Sequence, residues 1–186
     1  MAGFVVDGPE SFVSKLVAGG ARASLFKCMF TPINGAENSQ SGAVVKSEFI
    51  CKGVQVPASA VGIVNIMYMG RSVKFPGVRT FDDITTTIIN DEGYNMRNKI
   101  ESWMDKINSH AGNVRSTDAI NKLATAGYSI DMDIHTLGKA GNTIGKWRLH
   151  NAWPTSLDQI DVNWEPNDAI MEYSVTWSYD YWPQPV

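Results

Sequence analysis

The stretch that most restricts the fold of this chain runs from Ile170 to Tyr181. Met171, Tyr173, Val175, Trp177, Tyr179 and Tyr181 occupy alternate positions, and Glu172, Ser174, Thr176, Ser178 and Asp180 fill the gaps. Extended backbone sends successive side chains to opposite faces, whereas a helix would scatter these residues around its axis. The pattern therefore predicts a long strand with one buried face. Upstream, Ile160, Val162 and Trp164 alternate with Gln159, Asp161 and Asn163, and Glu165-Pro166-Asn167-Asp168 has the residue types of a turn. Together these segments predict a C-terminal hairpin. A second hairpin is expected before it. Tyr128, Ile130, Met132 and Ile134 alternate with Ser129, Asp131, Asp133 and His135; residues 138–142 supply a turn, and Trp147 and Leu149 mark the return strand.

Earlier strands are expected at residues 23–30, 44–51, 61–69 and 80–89. The third is apolar on both faces, with Val61, Ile63, Met67 and Met69 on one and Val64, Ile66 and Tyr68 on the other. Such a strand is either covered twice within the domain or covered once and completed by a neighbouring subunit. A single helix is expected after Asn90-Asp91-Glu92, where Ile100, Trp103, Met104 and Ile107 recur at helical spacing. Asp91 and Glu92 before it and Lys106 near its end suit the helix dipole. At 186 residues, with 44% apolar and 19% charged residues, the chain reads as one domain over 1–186. It has an N-terminal arm at 1–20 and long loops at 31–43 and 108–127, the latter with room for a short helix at 118–126. Six Trp, six Tyr and seven Phe favour pleated strands and packed interfaces.

A net charge of -3 argues against a dedicated nucleic-acid binder, which needs a basic excess to neutralise phosphates. Two cysteines, Cys28 and Cys51, are too few for a disulfide framework and sit in apolar surroundings as buried thiols. Residues 1–10 lack the basic flank and apolar run of a signal peptide, and no apolar run is long enough for a membrane helix. Catalytic motifs fail one by one. Asp131, Asp133 and His135 share a strand face and could hold a metal, but a solvated strand face is the simpler reading, because strands alternate by default. His110 and His150 are isolated. The stretch 141–146 lacks the first glycine of a phosphate loop, and Trp147 stands where its Ser or Thr belongs. Asp82 and Asp83 point to opposite faces of their strand and cannot act as a paired acid and base. No catalytic, cofactor-binding or metal-binding residue is assigned, no cofactor is expected, and the chain is read as a non-enzyme.

Surface for association is what remains, because unpaired strand edges used head-to-tail close a ring or build a filament. Two blocks sharpen this. Arg79-Thr80-Phe81-Asp82-Asp83, followed by a Thr-rich strand and Asn90-Asp91-Glu92, resembles the tail tube protein family of T-even-like contractile-tailed phages. So does the C-terminal block from Trp153-Pro154-Thr155 through the Trp164 hairpin to Asp180-Tyr181-Trp182, and the resemblance extends over residues 25–182. It implies a mainly β fold, an antiparallel two-sheet β-sandwich or barrel with one flanking amphipathic helix. It also implies homo-hexameric rings stacked into the inner tail tube of the virion. The implied partners are the tail sheath protein, a baseplate or tube initiator, and the tape-measure protein. DNA would pass through the lumen without specific binding, with no membrane anchor, after synthesis in the host bacterial cytoplasm. A lumen with acidic or neutral walls would let phosphates pass, and Asp131 and Asp133 are lumen candidates unless they lie on the solvated outside. Arg79 is expected to pair locally with Asp82 or Asp83, with Phe81 in the core, or else to make subunit contacts. The alternatives are the tube protein of a type VI secretion or phage-derived contractile injection system, a tube-initiating paralogue, and a carbohydrate-binding β-sandwich using Trp147, Trp153 or Trp177.

Overall fold

A computed structural model describes residues 20–30, 50–115, 127–164 and 170–183. The expected arm at 1–20, the loop at 31–43, most of the strand at 44–51, the short helix at 118–126 and the turn at 165–168 lie outside these residues, apart from Gly20, Ile50 and Cys51. The chain order is β1 (Phe26–Met29), β2 (Cys51–Val54), β3 (Ala60–Tyr68), β4 (Arg71–Thr80), β5 (Ile84–Ile89), helix α1 (Asn95–Ile107), β6 (Ile130–Leu137), β7 (Thr143–Leu157) and β8 (Glu172–Ser178). Every strand pairing is antiparallel. Six strands form one sheet in the order β1-β6-β7-β8-β5-β2, and β3 and β4 form a separate two-stranded sheet.

The six-stranded sheet is two half-sheets sharing β7. The first half of β7 pairs with β6, and its last residues, Trp153 to Leu157, pair with β8. The change of partner falls between Ala152 and Trp153, just after Asn151, whose φ of 57° is left-handed. Asn tolerates that region better than other residues with a side chain. Its amide nitrogen donates to Asp180 Oδ2 at 2.8 Å, and its backbone N–H donates to Asp131 Oδ1 at 3.3 Å. Both half-sheets turn their apolar alternates inward, so Met132, Ile134, Leu149, Tyr173, Val175, Trp177, Ile84 and Ile88 share one core. The outer strands β1 and β2 carry the buried, unbridged thiols Cys28 and Cys51. Helix α1 adds Met96, Ile100 and Trp103 to the core. It starts later than the acidic pair suggests, and Asp91 caps it from outside, accepting from the Asn95 backbone N–H at 2.9 Å.

Trp177 ties these parts together. Its ring lies 4.9 Å from that of Phe30 at the end of β1 and 5.7 Å from that of Trp103 on α1. Its indole N–H donates to the hydroxyl of fully buried Thr86 at 2.8 Å. The C-terminal alternation thus holds from Tyr173 to Tyr179, with Tyr173, Val175, Trp177 and Tyr179 buried, whereas Met171 and Tyr181, expected on the same face, are exposed at its ends.

The partner of this strand differs from expectation. Residues 158–164 form no strand, and β8 pairs instead with the end of β7 and with β5. Val162 and Trp164 are 78% and 98% exposed. The period-two run there is too short and too polar to compete with the Trp153-Pro154-Thr155 stretch, whose Pro154 is fully buried. Strand β4 was not anticipated at all, because Pro76 and Gly77 interrupt its pattern. Among the described residues no helix is long and apolar enough to cross a membrane.

The indole–hydroxyl bond makes a measurable pair. Trp177→Phe is expected to cost about 1–3 kcal/mol of unfolding free energy, because it leaves the buried Thr86 hydroxyl without its donor. In the Thr86→Val background the same change should cost less by about 0.5–1.5 kcal/mol. Urea unfolding of the four chains reads the difference.

Candidate assembly surface

The β3–β4 hairpin is the one strand pair whose side chains find no cover among the described residues: nearly every residue of both strands is exposed. Its register sorts the side chains. Val64 lies opposite Phe75 and Ile66 opposite Val73, with Tyr68 and Arg71 at the tip, which makes one face apolar. Ile63 opposite Pro76, Asn65 opposite Lys74 and Met67 opposite Ser72 make the other face mixed. The two apolar faces expected of β3 thus become unequal in the pair, because Ser72 and Lys74 both fall on the side of Ile63 and Met67. Among the described residues the hairpin pairs only with itself.

A bulge between Val61 and Ile63 lies near the base. There a Cβ on Gly77 would sit 3.1 Å from the Gly62 carbonyl oxygen, so the strands approach as they do only because both positions are glycine. At the tip, Tyr68 and Arg71 close on Met69 and Gly70, with φ of 46° and 77°. Two consecutive positive φ values are those of a type I′ turn, which favours Asn-Gly. Met69 is a poor residue for that position and is 87% exposed. A strained apolar tip on a hairpin left uncovered by the described residues points to contact made elsewhere.

The hairpin carries Arg71, Lys74 and Arg79 and no acidic residue. None of the three cations forms an ion pair or hydrogen bond with another described residue. The expected local pairing of Arg79 with Asp82 or Asp83 is thus not made. Phe81 is half-buried and meets Tyr179 and Trp182 at 6.2 and 6.4 Å. Asp82 and Asp83 are exposed at the hairpin's base.

The other candidates are engaged differently. Asp133 accepts two bonds from Arg148, at 2.8 and 2.9 Å, with Lys146 Nζ at 3.9 Å. Asp131 lies 3.2 Å from His150 Nδ1, and His150 stacks on Tyr181. Asp131, Asp133 and His135 thus sit on a face of cross-strand charge pairs, and no cluster of metal-ligating side chains occurs among the described residues. Trp177 is fully buried, and Trp147 and Trp153 pack against the core, so none stands free as a sugar platform. A further surface was legible but unremarked. Thr85 lies opposite Thr176 and Thr87 opposite Ser174, giving the outside of the β5–β8 half-sheet a half-buried, uncharged carpet of hydroxyls.

The phage tail tube protein family matches this chain over residues 21–184. Tail tube protein gp19 of Enterobacteria phage T4 is 30% identical over 135 residues, which is 72% of this chain and 79% of that protein. The tail tube protein of Serratia phage KSP90 is 26% identical over 123 residues, 66% of each chain. Among solved structures, the anti-feeding prophage cap aligns with a TM-score of 0.64 at 17% identity, over 92% of this chain and 95% of that one. The sheath–tube complex of an extracellular contractile injection system aligns with a TM-score of 0.62 at 17% identity, over 97% and 100%. At these identities the structural likeness speaks for the fold alone.

Two outcomes are expected from this geometry. Met69→Asn should stabilise the free chain by about 1 kcal/mol by relieving the left-handed strain, and should slow self-association because the apolar tip is lost. Thermal unfolding and light scattering read the two effects. Separately, the Arg148 hydrogen bonds hold the Asp133 carboxyl below its usual range, more strongly than partial burial pushes it up. A carboxylate lowered in the folded state adds stability above its unfolded pKa, and that stability fades as pH falls through the folded value. Asp133→Asn should therefore flatten the acid side of the stability–pH curve, measured by denaturant titration from pH 6 down to pH 3.

Proposed function

The chain belongs to the phage tail tube protein family, and we propose that its β3–β4 hairpin joins copies into six-membered rings, stacked as the inner tube of a contractile tail. As a member of that family it is a structural component of the virion tail. The observation that carries the hairpin's role is the exposure of the Val64, Ile66, Val73 and Phe75 face. An isolated two-stranded hairpin is marginal in water, and an uncovered apolar strand pair invites association. A surface used by one copy against a different surface of the next is heterologous, and such contacts close into a ring or continue as a filament.

The hydroxyl carpet of Thr85, Thr87, Ser174 and Thr176 is the channel wall in this reading. These four residues carry no charge, and Lys52 on the adjoining β2 is paired with Glu172 at 2.6 Å, so nucleic acid passing over this wall meets little electrostatic friction. Asp131 and Asp133 are set aside as lumen residues, because each already faces a basic side chain on β7. The sheath, the baseplate or tube initiator, and the tape-measure protein are the partners such a tube requires. A tube carrying protein cargo has the same architecture. The phage reading is preferred because the 30% identity is to a phage tail tube protein, whereas the injection-system likeness lies at 17%.

Negative-stain electron microscopy of concentrated protein, with and without a purified baseplate as nucleus, tests this directly. Hollow tubes or six-fold rings are expected from the native chain, and only small particles from Val64→Asp/Phe75→Asp. Small particles from the native chain that also fail to extend a baseplate would remove the tube reading.

A further inference from the structure

The hairpin differs from the rest of the molecule in charge as well as in exposure. The whole chain has 16 Lys and Arg against 19 Asp and Glu. Residues 60–80 contain three of those cations and no acid, so the remainder holds 13 basic against 19 acidic residues, a net charge of −6. A protruding element of +3 is thus attached to a body of −6. Such separation within one chain leaves both parts short of counter-charge.

The hairpin's own base cannot supply it. Arg71 opens β4 and Asp82 lies two residues beyond its end, about 35 Å away along an extended chain at about 3.3 Å per residue. Lys74 is separated from Asp82 by about 25 Å on the same reckoning. Arg79 is near enough in sequence, yet it stands opposite Val61 and bonds neither acid. At the base, Asp82 and Asp83 make no ion pair with any described residue. Burial and, to a lesser degree, the charges of Asp82 and Asp83 push the Tyr179 hydroxyl above its ordinary pKa.

Building on the tube reading, we infer that the cationic hairpin of one copy is steered onto the acidic base of the next, with Arg71 and Lys74 seeking the neighbour's Asp82–Asp83 corner. The occupant of the hairpin face is then a second copy of this chain. Each copy both donates a hairpin and offers a base, so the contact is head-to-tail and self-propagating. The apolar face supplies the lasting adhesion, and the charges supply the direction of approach and the rejection of wrong registers. A steering role of this kind acts mainly on the rate of addition and is screened over a Debye length of about 10 Å at 0.1 M salt.

The test is tube growth from a purified baseplate, followed by light scattering and electron microscopy at low and high salt. For the native chain the elongation rate should fall roughly tenfold between about 0.05 and 0.5 M salt. Arg71→Gln/Lys74→Gln should grow slowly and with little salt dependence. Arg71→Glu/Lys74→Glu should fail to grow, as should Asp82→Lys/Asp83→Lys, while a chain carrying all four reversals should regain growth. Circular-dichroism melting checks that each variant is folded. The exposed hairpin pair serves as the arm least exposed to misfolding. Native tubes together with native-rate growth of that folded reversal would overturn the pairing and leave the tube reading intact. Failure of the native chain itself to extend the baseplate would overturn both. Retention of a labelled DNA duplex by the native chain, lost in the Gln variant while tube growth stays unchanged, would assign the cations to a polyanion instead.

Discussion

The indole of Trp177 is the contact on which the other packing relations depend. It touches β1 through Phe30, α1 through Trp103 and β5 through the Thr86 hydroxyl. Three elements far apart in sequence thus meet at one side chain. A buried hydroxyl without a partner would cost more than its bond contributes, so Thr86 and Trp177 specify each other. That mutual requirement pins β5 against β8 in the register Thr86 opposite Val175. Once this register is set, Ile84, Thr86 and Ile88 face the core with Tyr173, Val175 and Trp177, and Thr85, Thr87, Ser174 and Thr176 face out. A slip by one residue would exchange the two sets.

The parts of the fold legible from sequence were those in which a single strand or helix declares its own buried side. Strand β8 and helix α1 did so because their apolar residues recur without interruption. The path of the chain after β7 was not legible, because Ile160, Val162 and Trp164 mimic a half-buried strand while Trp153-Pro154-Thr155 hides one. A proline inside a ladder normally argues against a strand, and only tertiary context makes room for it, at the bulge between Pro154 and Ser156. Strand β4 was missed for the same reason. The assembly surface was half legible. Val61 to Met69 reveals an apolar strand, but which face is dry depends on Ser72 and Lys74 across the pair, and register is not written in either strand alone.

The hairpin and the body follow opposite rules. In the body, polar groups answer one another across strands, as Asp133 does Arg148 and Asp131 does His150. In the hairpin, apolar residues lie open, a methionine holds a left-handed turn, and cations are unanswered by any described residue. Local choices that conflict with the stability of the isolated chain are expected where a sequence answers to a second structure. The glycines at the bulge serve the same end, since they permit the backbone to come close and twist the arm without a side chain in the way.

The sharing of β7 between the two half-sheets has a mechanical meaning. Most layered β domains resist sliding of one sheet over the other only through side-chain contacts, which yield in shear. Here one uninterrupted polypeptide of 15 residues runs through both layers, so a load applied to one is passed to the other along covalent bonds. The bend at Asn151, held to Asp131 and Asp180, is the elbow through which that load turns. In a tube driven axially, a wall made of such units would flex at the joints between copies before it sheared within one, keeping its bore round while the whole column recoils.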